Sequence, residues 1–337
     1  MRHLRAATVM LLLIGCRVDF EEHPLVDGGT DADAGADADG GTDVDGGTDT
    51  GSPPRDAEPA DSRADGATDS GTRPDPLDPF GDPTVVAALS APGTAEDDPT
   101  LTGDMLEIYF SSLRPGGAGG DDVWTASRPT LTAPWSAPVE VAVINTAGDE
   151  ITPEVSADGL SLYFTRRFDG DIHRCIRASR AEPWPAPSRV DELSTRDFEA
   201  SPAVDNSDTL LVFDSRRPGG TPGVSNLWMS TRAAPGSPWG VPEFMPEVSS
   251  PAHDTEPFLS FGGLHLFLTS ARAGTLGSSD MYVATHDSLA DPFGAPLPVT
   301  SINTTSREDD AWLSPDGRTL FFSSDRDGSP DIFVAQR

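Results

Sequence analysis

Between Pro79 and Arg337 short hydrophobic runs alternate with polar turns, and the same order of runs returns five times at a period of about fifty residues. Each round carries one run of the type Ile108-Tyr109-Phe110, Leu162-Tyr163-Phe164, Leu211-Val212-Phe213, Leu266-Phe267-Leu268 or Leu320-Phe321-Phe322. A second follows, Asp or Asn, then an aliphatic, then an aromatic residue or His: Asp122-Val123-Trp124, Asp171-Ile172-His173, Asn226-Leu227-Trp228, Asp280-Met281-Tyr282 and Asp331-Ile332-Phe333. Runs this short, bounded by Gly, Pro, Asn and Asp, read as strands rather than helices. Before them stands an acid (Glu96, Glu150, Glu199, Asp254, Glu308), then three residues on a proline (Pro99, Pro153, Pro202, Pro257) or, in the fifth round, Ala311. We take that proline position as the start of the first strand, and Asp158-Gly159 and Asp316-Gly317 as two-residue hairpin turns. A Pro-aromatic-x-x-Pro stretch, with its aromatic at Phe80, Trp135, Trp184, Trp239 or Phe293, leads into a fourth strand such as Val139 to Val143. Four strands in each of five rounds predict an all-β chain, a five-bladed β-propeller of four-stranded antiparallel blades.

The spacing sharpens this. From the Pro-aromatic residue to the acid is 15 residues in four rounds and 16 in the first, and from the acid to the end of the second strand is 14 in all five. Only the connection between the second and third strands varies, at 14, 9, 15, 14 and 11 residues between landmarks. With the strands named A to D from the axis outward, this is the B–C loop. Alternating strand direction puts it on the same face as the D–A loop. Variation confined to one face is the mark of a scaffold that carries its function on loops. The repeats open with a D strand (Thr84 to Leu89) and close with a C strand (Asp331 to Arg337), so the last blade should take its outer strand from the first residues of the repeat region. That leaves no unpaired edge inside the ring.

The stretch Ser314-Pro315-Asp316-Gly317-Arg318-Thr319-Leu320-Phe321-Phe322-Ser323-Ser324-Asp325-Arg326-Asp327-Gly328 resembles the WD40-like Pro-Asp propeller repeat of the TolB C-terminal domain. Glu154-Val155-Ser156-Ala157-Asp158-Gly159 is a weaker copy, and Asp205-Asn206-Ser207-Asp208 the most distant. The resemblance implies a propeller of the cell envelope used for protein contacts. TolB has six blades and an additional domain, whereas five rounds account for this sequence from Pro79 onward.

The residues before the repeats divide in two. Arg2 and Arg5 followed by an apolar run from Ala6 to Ile14 read as an export signal, residues 1–15. Leu13-Ile14-Gly15-Cys16 resembles the lipobox of bacterial lipoproteins, which implies cleavage before Cys16 and lipid attachment at it. Arg17, rather than an aspartate, follows Cys16 and favours the outer membrane. Residues 16–78 then form a lipid-anchored tether: from Glu21 to Asp78 there are seventeen acids against three arginines and no Phe, Tyr or Trp. A segment of that composition buries too little apolar surface to order itself. The runs Asp37-Ala38-Asp39-Gly40 and Asp43-Val44-Asp45-Gly46 lack the first ligand and the closing Glu of an EF-hand loop, and read as solvated spacer.

Net charge of −32 without a single lysine excludes nucleic acid as a partner, since phosphate contacts need clustered Lys and Arg. The expected partners are the membrane, through the lipid anchor, and an envelope protein or glycan. With Cys16 lipidated, Cys175 stands alone in a slot filled elsewhere by Ala126, Ser230, Ala284 and Ala335, a small buried strand residue. No cofactor motif is present, no residue is assigned as catalytic, and the histidines make no metal set.

The candidate site is a ring. Glu96, Glu150, Glu199, Asp254 and Glu308 should stand near the axis on the variable face, with Arg114, Arg217, Arg272 and Arg326 in the B–C loops beside them. The second round has Phe168 at that position, next to Arg167. Five-fold repetition favours internal ion pairs that lock the D–A loops. The functional reading is a polar ring that takes a cation, sugar or peptide end. A binding or scaffolding module is therefore expected; the alternative is a propeller glycoside hydrolase or polysaccharide lyase using carboxylates at the channel mouth.

Overall fold

The computed structural model describes residues 73 to 337. The export signal, Cys16 and most of the tether lie outside the described residues. Twenty strands form five separate antiparallel sheets of four. Blade 1 holds β2 (Glu96–Leu101), β3 (Glu107–Ser112), β4 (Asp122–Ser127) and β5 (Val139–Glu140), and blade 2 holds β6 (Glu150–Val155), β7 (Ser161–Arg166), β8 (Asp171–Ile176) and β9 (Ser188–Arg189). Blade 3 holds β10 (Glu199–Val204), β11 (Leu210–Ser215), β12 (Asn226–Thr231) and β13 (Glu243–Phe244), and blade 4 holds β14 (Asp254–Leu259), β15 (His265–Ser270), β16 (Asp280–Thr285) and β17 (Leu297–Pro298). Blade 5 is β18 (Glu308–Leu313), β19 (Thr319–Ser324) and β20 (Asp331–Gln336), completed by β1 (Thr84–Val85) from the other end of the described chain. The closing pairs are Thr84 with Val334 and Val85 with Phe333. This is the five-bladed propeller expected from the repeats.

The B strands supply the core. Their fourth residues Phe110, Phe164, Phe213, Leu268 and Phe322 stand in register and are buried. Cys175 is buried at the same depth with its Sγ against the Pro185 carbonyl.

Three features depart from the sequence expectation. Each A strand begins at the acid, three residues before the proline position, and carries a bulge. In blade 2 Ile151 pairs with Thr165 but Glu154 with Tyr163, so Thr152 and Pro153 together face one residue of β7. The same shift occurs in the other four blades. Proline has no N–H for a ladder, and a bulge is where a strand tolerates that loss. The A–B connections are also five-residue loops rather than two-residue turns. Gly159 N–H donates to Ser156 O at 2.8 Å and Ser156 N–H to Ser161 O at 2.9 Å. The fourth turn residue is left-handed in every blade: Met105, Gly159, Asp208, Gly263 and Gly317. The outer strands are shorter than expected, two residues each.

Beneath this face the five blades share a clamp. The residue after each C strand is Arg128, Arg177, Arg232, His286 or Arg337, and its ring or guanidinium stacks on the Pro-aromatic residue of its blade. Arg177 lies 4.1 Å from the Trp184 ring centroid and Arg337 4.2 Å from that of Phe80. The His286 ring stacks on Phe293 at 4.1 Å. The same five groups bond the carbonyls of the A–B turns, Arg232 Nε to Asp208 O at 2.7 Å and Arg337 Nε to Gly317 O at 2.8 Å among them. Residues 73–78, assigned from composition to the end of the tether, lie against this face. Arg73 Nη1 donates to Phe261 O at 2.7 Å, and Arg337 Nη1 to Pro76 O at 3.1 Å.

Candidate functional site at the propeller axis

The five acids named from the sequence open the A strands, and each has no exposed surface. Their oxygens are engaged in one repeated pattern. A loop N–H donates to each: Ala91 to Glu96 at 3.1 Å, Thr146 to Glu150 at 2.7 Å, Thr195 to Glu199 at 2.9 Å, Ser250 to Asp254, and Thr304 to Glu308 at 2.7 Å. A serine at the end of the B strand donates as well: Ser112, Ser215, Ser270 and Ser324 at 2.6–3.1 Å. Arg114, Arg217, Arg272 and Arg326 complete the set at 3.1, 3.2, 2.7 and 3.1 Å. The same guanidinium groups reach across to the D–A loop carbonyls of Leu89, Leu193, Val248 and Ile302. Each arginine also lies over an aromatic ring of its blade, as Arg217 does over Phe213 at 4.8 Å.

Blade 2 solves the same problem with a different residue. Phe168, where the others carry arginine, is 66% exposed, and Arg167 turns outward to Asp149 at 3.7 Å. The partner of Glu150 is Arg166, which stands where the other blades have serine; its Nε is 3.3 Å from Glu150 and its Nη2 bonds Ile144 O at 3.0 Å. Reasoning by spacing missed Arg166 because the function moved two positions along the strand.

Two residues inward from the acids lies a second ring that the sequence reading did not single out. Asp98, Thr152, Ser201, Glu256 and Asp310 all have positive φ, between 49° and 56°. Left-handed backbone at a non-glycine residue costs on the order of 1–2 kcal/mol, and a β-branched one such as Thr152 is a genuine outlier. The bulge requires it, and the result is that all five residues line the axial cavity. Side-chain bonds knit the ring. Asp98 Oδ2 accepts from Ser111 and from the Thr152 N–H at 3.0 Å. Thr152 Oγ1 pairs with Thr165 Oγ1 at 2.8 Å and accepts from the Ser201 N–H at 3.3 Å. Ser323 donates to Asp310 at 2.8 Å.

The second ring is not five-fold in chemistry. Blades 4, 5 and 1 contribute Glu256, Asp310 and Asp98, whereas blades 2 and 3 contribute hydroxyls. Asp97 and Asp309 stand one residue above them, and Arg307 bridges the two at 2.5 Å each. Burial, then the charge of Asp309, pushes Glu256 far above the usual carboxylate range. Asp310 goes the same way through burial and Glu256, and Asp98 rises through burial and Asp97. Asp309 is pushed up to about 7 by burial, with Arg307 opposing. Burial works on Asp97 too, but Arg307 and the Ser323 hydroxyl outweigh it and hold the group below its ordinary value. Below the ring Glu154 is buried, accepts from Thr100 at 2.8 Å, and is pushed up to about 8. Phe258 and Trp312, ring centroids 6.2 Å apart, pack at that level. The cavity between these layers measures about 40 Å³. A water needs about 10–15 Å³ on this measure, so there is room for an ion with a water or two and none for a sugar ring.

No family model matches the sequence, and no curated protein matches it. The fold has solved counterparts. A thermostable family-43 glycoside hydrolase is 12% identical, covering 73% of this chain and 89% of its own, with a TM-score of 0.49. The α-L-arabinofuranosidase PaAbf62A from Podospora anserina, in complex with cellotriose, is 12% identical over 72% of this chain and 91% of its own, at 0.47. TolB from Acinetobacter baumannii is 15% identical over 74% of this chain and 56% of its own, at 0.46. Likeness at this level describes the propeller and nothing of its chemistry.

Proposed function

We propose that this chain is an exported lipoprotein, anchored through Cys16 in the outer membrane, whose propeller is a binding module for an envelope protein or glycan. The observation that carries the reading is a division between the two faces. The chain enters on the A–B face, where Arg73 and Pro76 are bonded to Phe261 and Arg337. Apart from one extra residue before Glu96, the variation in loop length belongs to the B–C loops of the opposite face, which expose Leu113, Phe168 and Leu276. A lipid anchor at one end of an acidic spacer therefore leaves the variable face free to meet a partner. The carboxylates that a hydrolase would need are withdrawn: the outer ring is consumed by arginines and loop amides, and the inner ring surrounds a cavity too small for a sugar.

The test is a capture experiment with the whole lipidated protein in detergent. An envelope extract and a glycan array should be bound by the wild type and lost on substituting Phe168→Ala with Leu276→Ala, but not on substituting Leu289→Ala beside the A–B turns. Cys16→Ser should move the protein from the membrane to the soluble fraction. Turnover of a polysaccharide that disappears in Glu256→Gln would overturn the reading in favour of a hydrolase or lyase.

A further inference from the structure

We propose that the propeller axis binds one divalent cation of the hard, oxygen-liganded kind, calcium first, held by Asp97, Asp98 and Asp310, with Glu256 facing them across the cavity. Three carboxylates on blades 5 and 1 offer ligand atoms that all lie within 4.8 Å of one another. Calcium–oxygen bonds run about 2.3–2.6 Å, so two opposed ligands span about this distance, and magnesium would need a tighter cage. Each aspartate is already oriented by a donor: Arg307 holds Asp97, Ser111 and the Thr152 amide hold Asp98, and Ser323 holds Asp310. Those bonds all fall on Oδ2 and leave the Oδ1 atoms for a ligand.

Two carboxylate oxygens here are buried and take no hydrogen bond, Asp97 Oδ1 of the cluster and Glu256 Oε2 of the neighbouring blade. Glu256 lines the same cavity as Asp98 and Asp310. A buried carboxylate oxygen without a donor is costly, and native structures meet that cost with an ion or an ordered water. Charge argues for the ion. Five carboxylates (Asp97, Asp98, Glu256, Asp309, Asp310) gather at this end of blades 4, 5 and 1, and the guanidinium bonded into them is Arg307, through Asp97 and Asp309. Oxygen-only ligands select calcium, magnesium or manganese over the softer metals. The axial cavity of about 40 Å³, lined by Asp98, Glu256 and Asp310 though not by Asp97, leaves room beside the cluster for the waters that complete the ion's shell. The site is independent of which partner the outer face meets.

The test is equilibrium dialysis of the chelator-stripped, full-length protein at neutral pH against calcium, magnesium and manganese chlorides in turn. One calcium per chain should bind above the weak, salt-sensitive background of the acidic tether, and magnesium more weakly. Asp98→Asn and Asp310→Asn should each reduce calcium affinity tenfold or more, and calcium should raise the melting midpoint of the wild type but not of these variants. Melting in chelator shows that each variant is folded; where one is not, Glu256→Gln is read in its place with a smaller expected loss. No stoichiometric cation in the wild type, or affinity unchanged in folded Asp98→Asn and Glu256→Gln, would overturn the site.

Discussion

At the scale of single residues the molecule separates acids that hold it together from acids that strain it. Glu199 is completely buried against Arg217, Thr195 and Ser215. Glu199→Ala leaves a buried guanidinium and three donors unsatisfied, a loss of about 3–5 kcal/mol. Glu199→Gln keeps the hydrogen-bond geometry and should cost less; chemical denaturation of the two variants measures the difference. The inner acids behave oppositely. Asp309 is pushed up to about 7 and Glu154 to about 8, and Asp121, at the end of the blade 1 B–C loop, goes up to about 7 as well, each chiefly by burial. In the folded chain these groups keep protons that the unfolded chain has released above about pH 4. Folding therefore takes up protons across the window from about 4 to about 8, and stability falls as pH rises through it. Melting in chelator should be higher at pH 5 than at pH 8, and a midpoint that rises with pH would contradict the assignment of these shifts.

At the scale of elements, the B and C strands were legible because fully buried strands write themselves as unbroken apolar runs. The A strands were legible in existence and not in extent. A proline read as a strand's first residue is in fact its fourth, tolerated because the bulge asks for no amide there. The inner ring was hidden for the same reason: counting alternate residues cannot anticipate a left-handed residue that turns a side chain toward the axis. Its signal was nonetheless present as five polar residues (Asp98, Thr152, Ser201, Glu256, Asp310) each two positions after a recurring acid. The basal clamp was overlooked because its fifth member is His286 rather than arginine. Closure by β1 rests on two ladder pairs and on Phe80, buried under Arg337. Deleting residues 73–85 uncovers β20 along its length, and an open edge is a template for association. We expect that truncation to lower the melting midpoint and to form aggregates by light scattering; an unchanged, monodisperse protein would show that closure is dispensable.

At the scale of the whole molecule, five repeated paragraphs of sequence yield a ring in which repetition and function occupy different positions. Groups present in every blade (the buried acid and its arginine, the basal Arg or His on its aromatic) hold the ring. Groups that differ from blade to blade, the B–C loops and the carboxylate arc of Glu256, Asp310 and Asp98, are where the proposed partner and the proposed cation would be met. The number of blades and the closure were readable from spacing alone, and so was the variable face. Which side chains line the axis was not, because the residue two positions after each recurring acid was not singled out and only its left-handed backbone turns it inward. One measurement separates the two roles directly: the melting midpoints of the wild type, Glu199→Ala and Asp310→Asn, each with calcium and with chelator. The account predicts that Glu199→Ala melts well below the wild type in both conditions and still gains from calcium. Asp310→Asn should match or exceed the wild type in chelator and gain nothing from calcium. If Asp310→Asn loses stability in chelator while Glu199→Ala does not, the roles of the two rings are reversed and the account fails.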